Sequence, residues 1–347
     1  MYDLSAYKIK KDPVILGIES SCDETACAII RGRKLLANRI ISSAAEQAKY
    51  GGVVPEIASR AHTEAVDEVV RLALKEADIC LNEIDAVAVT YGAGLLGALL
   101  VGLSFAKSFA YALNVPLIGV NHIRGHMAAA YLDCPDLKPP FITLLASGGH
   151  TAVLHTKSYL EYEVLGQTLD DAAGEAVDKC ARVLGLPYPG GPNVQREAEK
   201  GKPCINFPSA LVKNRDKMQF SYSGLKTAVI NYCHTAAQRG ESVSSGDIAA
   251  SFQKSAIDPL VDKTVESAVK LGVKTVTAGG GVAANGYLRE RLTTACAKAG
   301  LNLVLPEKKF CTDNAAMIAS EGLNQYLSGN FAPMSLNAKA AIPLGGN

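Results

Sequence analysis

A strand, a polar turn and a second strand occur twice in this chain, and the repeat narrows the folds open to it. The first copy runs Val14-Ile15-Leu16-Gly17-Ile18-Glu19, then Ser20-Ser21-Cys22-Asp23-Glu24-Thr25, then Ala26-Cys27-Ala28-Ile29-Ile30. The second runs from Phe141 to Ala146, through Ser147-Gly148-Gly149-His150-Thr151, and on from Ala152 to Thr156. Short apolar runs bounded by hydroxyl-, acid- or glycine-rich turns read as hairpins. A third strand is expected after each, over 34–42 and 159–165. Duplication of such a unit predicts two similar α/β domains facing each other across a cleft, with both turns pointing into it.

The segments between the hairpins fill in that layout. Ile57, Ala61, Ala65, Val69 and Leu72 recur at three and four residues and predict a helix over 55–77. A strand over 84–89, a helix over 95–113 and a strand over 116–120 follow. Pro139-Pro140 marks a boundary. After the second hairpin, Thr168 and Asp171 read as a capping box opening a helix that runs to 184. A Gly/Pro-rich loop is expected over 185–192 and irregular chain over 201–227. Helices follow at about 227–239 and 245–271, then a strand over 274–277, the glycine loop Ala278-Gly279-Gly280-Gly281 and a helix over 282–299. A strand over 302–305 and a helix over 314–327 close the pattern. One domain is expected over 1–138 plus about 320–347, the other over 139–319.

Length and composition bound the function classes. The 347 residues suit two domains. A net charge of +1 argues against a chain that grips nucleic acid unaided, and leaves open a nucleic acid delivered by a partner. Nine cysteines without a C-x-x-C pair point to reduced, mostly buried thiols and a cytoplasmic setting. Residues 1–11 are polar and mixed in charge, unlike a signal peptide. The most apolar window, 93–113, contains Gly97, Gly102, Ser104, Lys107 and Ser108, which suits a buried amphipathic helix better than a membrane span.

Two glycine runs resemble a dinucleotide fingerprint. Gly92-Ala93-Gly94-Leu95-Leu96-Gly97 follows a strand, but the next strand ends at Asn121-His122 rather than at a ribose-binding acid. Gly279-Gly280-Gly281-Val282-Ala283-Ala284 is followed by a strand reaching Glu307, with too little chain beyond it for the rest of such a domain. Hydride transfer is therefore disfavoured. The glycine loops read better as phosphate-cradling turns, since Ser147-Gly148-Gly149 carries no bulky side chain and its N–H groups can reach an anion. The fold implied is an α/β, duplicated actin-like one, shared by sugar kinases and Hsp70-type ATPases.

His122 and His126 stand four residues apart where a strand leads into a helix. Their rings then share a helix face, a spacing that suits two ligands on one metal ion, although a cap and a surface histidine would look the same. Asp313 is the best-placed third ligand, and its position before a helix equally suits an N-cap. The spacing matches the H-E-x-x-H of zinc proteases, but Ile123 stands where the general base belongs, so peptidase chemistry is disfavoured. Asp171, Glu175 and Asp178 fall on one side of their helix, with Asp178 a candidate for a ribose. Asp23 and Glu24 are candidate acid or base groups. Phe220-Ser221-Tyr222-Ser223-Gly224-Leu225-Lys226 mixes groups suited to a nucleotide or nucleic acid.

Eight motifs in order resemble the TsaD family of tRNA threonylcarbamoyladenosine synthase subunits. They are Gly17-Ile18-Glu19-Ser20-Ser21-Cys22-Asp23-Glu24-Thr25, Gly51-Gly52-Val53-Val54-Pro55-Glu56, His122-x-x-x-His126, Ser147-Gly148-Gly149-His150-Thr151, Asp170-Asp171-Ala172-Ala173-Gly174-Glu175, Tyr188-Pro189-Gly190-Gly191-Pro192, the Phe220–Lys226 run and Gly279-Gly280-Gly281-Val282-Ala283-Ala284-Asn285. The first and seventh resemble the bacterial and organellar branch. The resemblance implies transfer of threonylcarbamoyl from its adenylate to the exocyclic amine of the adenosine beside the anticodon, in tRNAs reading codons that start with A. It implies one divalent metal, iron or zinc, on His122, His126 and Asp313. It implies an adenylate on Leu145, Ala146, Ser147, Gly148, Gly149, Asp178, Gly191 and Asn285. Implied partners are tRNA, a TsaB-like paralogue docking on the helices from Pro55 and Leu95, a TsaE-like ATPase and a TsaC-like enzyme that supplies the adenylate. Departures from the family pattern are Leu145 where the archaeal branch has a Tyr ligand, Gly92-Ala93-Gly94 where many relatives have Gly-Pro-Gly, and Arg124 where many have Glu. Arg124 adds a cation expected to meet tRNA phosphate or a substrate carboxylate. The rival reading is a nucleotide-binding regulator or ATPase without transfer chemistry.

Overall fold

The first apolar run, Val14 to Ile18, forms with Glu19 at its end strand β1, Val14–Glu19, and every residue of it is buried. A computed structural model of the chain describes residue 4, residues 7–211 and residues 218–345. Part of the stretch expected to be irregular, 212–217, therefore lies outside the described residues. The chain divides into two units, Met1–Leu137 with Asp313–Asn347, and Lys138–Thr312.

The first unit begins with β1, β2 (Glu24–Arg31), β3 (Lys34–Ser42), the short α1 (Ala44–Gln47) and α2 (Pro55–Ala77). It continues with β4 (Ala86–Gly92), α3 (Leu96–Leu113), β5 (Leu117–Asn121), α4 (His122–Ala128) and α5 (Ala130–Asp133). Its sheet has the order β3-β2-β1-β4-β5. β1 pairs antiparallel with β2 and parallel with β4, and β4 pairs parallel with β5. A central strand covered on both faces reads as a near-continuous apolar run, as β1 does up to Ile18.

The second unit holds β6 (Phe141–Ala146), β7 (Thr151–Thr156), β8 (Tyr162–Thr168), α6 (Ala173–Val183), α7 (Gly190–Ala198) and β9 (Met218–Phe220). It goes on through α8 (Ser223–Gln238), α9 (Ser245–Leu271), β10 (Thr275–Gly279), α10 (Gly286–Ala299), β11 (Asn302–Val304) and α11 (Lys308–Cys311). The chain then re-enters the first unit as α12, Ala315–Leu327. The second sheet runs β11-β10-β6-β7-β8-β9. Read from β8 to β11 it repeats the first sheet, with the same antiparallel hairpin and the same two parallel additions. The duplication predicted from two turns is thus carried by five strands in each unit, with β9 appended beside β8.

Helix α12 shapes the first unit. From Ala315 to Tyr326 every residue is buried, the polar Ser320, Glu321, Asn324 and Gln325 included, so the helix lies inside the core of its unit. Asn314 caps it, its Oδ1 accepting from Met317 N at 3.0 Å. Two glycines let it lie close on the sheet. A Cβ at Gly17 of β1 would stand 2.8 Å from Ala315 O and from Ala319 N, and one at Gly322 would stand 2.6 Å from the Ala88 Cβ.

Some expectations change in detail. The buried stripe of α2 is Ala58, His62, Ala65, Val66, Val69, Val70 and Ala73, rotated from the expected one, and Leu72 is exposed. α3 is long and apolar enough to cross a membrane by length and composition, yet Ala98, Leu99, Leu103, Ala106 and Ala110 are buried inside its unit. Leu96, Leu100 and Tyr111 on the same helix are exposed. The capping box at Thr168 is not formed. Thr168 ends β8, where it pairs with Phe220, and its hydroxyl donates to Asp171 O at 2.8 Å. Strand pairing and a turn take up these residues, so the helix starts five residues later at Ala173 and Asp171 stands outside it. The loop expected over 185–192 is shorter, because Gly190 already opens α7.

Candidate functional site

β5 ends at Asn121, whose Oδ1 accepts from Ile123 N at 2.9 Å and so starts α4 at once. That cap places His122 in the first turn and His126 one turn on, both buried. Their rings meet edge to face with centroids 4.5 Å apart. Asp313 reaches the pair from the residue before the α12 cap. Because Asn314 caps that helix, Asp313 is released from the capping role its position suggested.

His122 Nε2 and His126 Nε2 each lie 3.4 Å from Asp313 Oδ1. Two ligands at about 2.0–2.1 Å from a tetrahedral ion are themselves about 3.4 Å apart. One donor atom from each of the three residues can be chosen so that all lie within 4.8 Å of one another. Both ring nitrogens of His126 are buried without a hydrogen-bond partner, which is uncommon for buried polar groups and fits a nitrogen reserved for a metal. Two imidazoles and a carboxylate suit zinc or ferrous iron. The residues present fit such an ion.

Sequence reasoning missed Glu19, the last residue of β1. It is fully buried, and its Oε2 lies 3.0 Å from His122 Nδ1, where Ser21 Oγ also approaches at 3.2 Å. The two residues are far apart in sequence and meet only through strand order, so spacing carries no signal of the contact. Burial alone would depress His122, but Asp313 and Glu19 hold it well above the ordinary imidazole value. His126 goes the other way, lowered by burial and by its neighbour His122. Burial works to raise Asp313, and the two histidines outweigh it and hold it well below the usual carboxylate range. The buried Glu19 and the partly exposed Asp313 thus both draw positive charge onto His122.

Asp23 and Glu24 lie in the β1–β2 turn. Glu24 accepts from Ser42 Oγ at 3.1 Å. Burial, a hydrogen bond with Asp23, and the charges of Asp23 and Asp313 push Glu24 up to about 9. Glu24 therefore holds a proton at neutral pH. Gly94 lets the chain after β4 close on this turn, since a Cβ there would stand 2.6 Å from Ser21 O, and Leu95 N donates to that oxygen at 2.8 Å. The Gly92–Gly97 run is thus a packing device beside the turn.

Arg124 is engaged within its own unit. Its Nε donates to Glu321 Oε1 at 2.6 Å, and the two side chains are 16% and 3% exposed. The cation expected beside the site ties α4 to α12, because Glu321 on α12 is buried and needs a positive partner. Asn324 and Gln325 also donate to Glu321.

In the second unit, the residues from Leu145 to Gly149 form the end of β6 and the turn into β7. Ser147 N donates to His150 O at 2.8 Å, and His150 N to Ser147 Oγ at 3.1 Å. Two glycines come close to this turn. A Cβ at Gly174 would stand 2.7 Å from Ser147 O, and one at Gly280, whose φ is +91°, would stand 2.4 Å from Ala146 O. Gly148, Gly149 and Gly191 have open space where a side chain would be. Asp178 Oδ1 accepts from Gly190 N at 2.8 Å, at the start of α7, and burial raises its pKa. Asn285 caps α10 through Leu288 N and donates to Gln253 Oε1 at 2.9 Å. The Phe220–Lys226 run is tied down within its own unit. Ser221 and Ser223 donate to Asp170, Lys226 pairs with Asp171, and Phe220 and Tyr222 are buried.

A family model described as tRNA N6-adenosine threonylcarbamoyltransferase matches residues 34–320. A protein of that name from Clostridium novyi (strain NT) is 50% identical over 339 residues, covering 97% of this chain and 99% of its own. One from Clostridium botulinum (strain Kyoto / Type A2) is 49% identical with the same coverage. Among solved structures, full-length HypF in a phosphate- and nucleotide-bound form aligns with a TM-score of 0.64 at 13% identity, over 93% of this chain and 58% of that one. The Clostridium difficile activator of 2-hydroxyisocaproyl-CoA dehydratase, with bound ADPNP, aligns at 0.52 and 13% identity, over 91% and 96%. At these identities the likeness shows the fold alone, which is the actin-like α/β fold expected from the duplicated hairpins.

Proposed function

The chain belongs to the TsaD family of tRNA N6-adenosine threonylcarbamoyltransferases, transferases that act on tRNA, and from that premise we propose the course of its reaction. The substrate is threonylcarbamoyl-adenylate, and the acceptor is the exocyclic amine of the adenosine 3′ to the anticodon in tRNAs reading codons that start with A. The amine nitrogen bonds to the carbamoyl carbon, the bond from that carbon to the phosphate oxygen breaks, AMP leaves, and one proton leaves the amine. The observation that carries the reading is the group His122, His126 and Asp313, drawn together in a chain of this family.

Those three residues hold one divalent metal, iron or zinc. Bound there, it supplies a Lewis acid for the carbamoyl oxygen. The Leu145–Gly149 turn binds the adenylate phosphate, Asp178 its ribose, and Gly191 and Asn285 complete the subsite. Open space at Gly148, Gly149 and Gly191 supports close approach of an anion to backbone N–H groups. Glu24 holds its proton and orients Asp23, which accepts the proton from the amine. The setting is cytoplasmic, where tRNA and adenylate are found. A TsaB-like paralogue docks on α2 and α3, supported by the exposed Leu72, Leu96, Leu100 and Tyr111. A TsaE-like ATPase and a TsaC-like supplier of adenylate complete the system.

The deciding assay combines the protein with these three partners, tRNA, threonine, bicarbonate and ATP, and looks for threonylcarbamoyl-adenosine by mass spectrometry of digested tRNA. Folded, metal-loaded protein that yields none would overturn the proposal. Within the assay, Asp23→Asn lowers the rate by about 10²–10⁴ as the loss of a general base does, and Glu24→Gln stays within about tenfold. Equal losses in both would remove the distinction between them.

Stability carries a separate sign. The folded value for Glu24, about 9, lies above the unfolded one, so the folded state binds the extra proton. Its contribution is complete below about pH 4.5 and is lost as pH rises through about 9. Metal-free protein should therefore lose more melting temperature between pH 6 and 9 than Glu24→Gln does. Parallel melting curves for the two would contradict the assignment.

A further inference from the structure

Glu19 has the geometry of a working group and no part in the chemistry described so far. It ends β1 with its carboxylate wholly buried. Oε1 accepts from Ser21 N, and Oε2 accepts from Thr90 Oγ1 at 2.7 Å, so backbone and side chain fix both oxygens. The remaining close contact is His122 Nδ1, 3.0 Å from Oε2. Among the described residues no lysine or arginine pairs with it.

We propose that Glu19 is a positioning residue for the metal centre and supplies its second negative charge, the fully buried one. The inference rests on the reading of His122, His126 and Asp313 as that centre. A carboxylate can only accept, so His122 must direct Nδ1–H at it. That fixes the tautomer and leaves the Nε2 lone pair on the side of Asp313, 3.4 Å away. A histidine ligand anchored through its other nitrogen by a carboxylate is held in orientation and made more basic. Charge gives a second argument. Two neutral imidazoles with two carboxylates, the partly exposed Asp313 in contact and the buried Glu19 behind, balance a doubly charged ion, whereas Asp313 alone would leave the site positive. Thr90 belongs to β4 and Ser21 to the β1–β2 turn, so three segments of the first unit converge on one ligand.

The test uses the full-length protein, Zn²⁺ as the probe and competition with a chromophoric chelator as the readout. Wild type and Asp313→Ala establish whether the centre binds metal at all. If wild type fails to bind, or Asp313→Ala binds equally well, the centre itself is wrong, whatever Glu19 does. With the centre established, Glu19→Gln is expected to weaken Zn²⁺ binding about 10–100-fold, the usual consequence of losing an outer-shell carboxylate. Imidazole ¹⁵N spectra of the zinc-loaded wild type should show His122 protonated at Nδ1. Thr90→Val, which removes one anchor and keeps the carboxylate, should weaken binding by a smaller factor, and serves where Glu19→Gln does not fold. A purely structural role predicts a lower melting temperature with unchanged affinity. Zn²⁺ binding within twofold of wild type in the folded variants, or Nδ1 found bound to the metal, would overturn the proposal.

Discussion

Asp313→Ala is expected to fold and to lose metal affinity by more than the roughly 100-fold that removal of an outer-shell partner brings. The fold survives because the α12 cap is Asn314, whose bond to Met317 N is untouched. The affinity falls because Asp313 is the one carboxylate in the group and its Oδ1 is shared between both histidines. Its loss also changes the proton count. In the metal-free protein His122 is held protonated between Asp313 and Glu19, so a divalent ion must displace that proton on binding. Calorimetric titration of wild type with Zn²⁺ near pH 7 in two buffers of different ionisation enthalpy should reveal proton release on binding. Affinity within tenfold of wild type for Asp313→Ala would exclude this aspartate as a ligand.

Gly17→Val is the second large effect, and it acts on stability. The Cβ alone would stand 2.8 Å from Ala315 O and Ala319 N and 2.9 Å from Ala319 Cβ, and two of those three atoms are backbone. A side chain can rotate away, but the axis of α12 can only lift. Overpacking in a core costs about 1–3 kcal/mol, and a β-branched side chain against fixed backbone belongs at the upper end or beyond. That is a large share of the roughly 5–15 kcal/mol that keeps a domain folded. Hydrogen exchange of β1 and α12 amides should accelerate together, with β6 and β10 in the other unit unchanged. Gly224→Ala is the matched control. It lies in the first turn of α8 with nothing within 4 Å of the new methyl, so no clash arises there. A Gly17→Val protein with unaltered exchange would mean that α12 is not seated as described.

What could be read from the sequence was whatever is local. The bounds of α2 follow from Pro55 at its start and a regular apolar recurrence, and the structure has the same bounds. The two histidines were visible because four residues make one helical turn. Asp313 was found by chemistry, as an acid beside a helix start, although the same position pointed to a cap that Asn314 provides instead. Contacts set by strand order were invisible. Glu19 meets His122 only because β1 lies beside β4 and β4 beside β5, and no spacing encodes that. Arg124 looked like a free cation because its partner Glu321 is on the far arm of the chain. Thr168 and Asp171 spelled a capping box, but pairing of Thr168 with Phe220 in β9 outweighed the local preference. Tertiary pairing overrode local pattern there, and the same override keeps Leu72 outside a stripe it matches in period.

The re-entry of the chain at Asp313 bears on how the protein comes into being on the ribosome. Residues 138–312 are contiguous, so the second unit has all its parts as soon as they emerge. The first unit does not. β1 emerges early with glycine at position 17 and Ala88 beside it in β4, both shaped for a helix that has yet to be translated. At about 5–20 residues per second, the ribosome takes on the order of ten seconds or more to reach α12 after α5. During that interval the nascent first unit exposes the face of β1 and β4 that α12 will cover, and its histidine pair lacks its aspartate. Metal capture is thereby deferred until Asp313 has been translated, and chaperone engagement should concentrate on nascent chains stalled between residues 138 and 312.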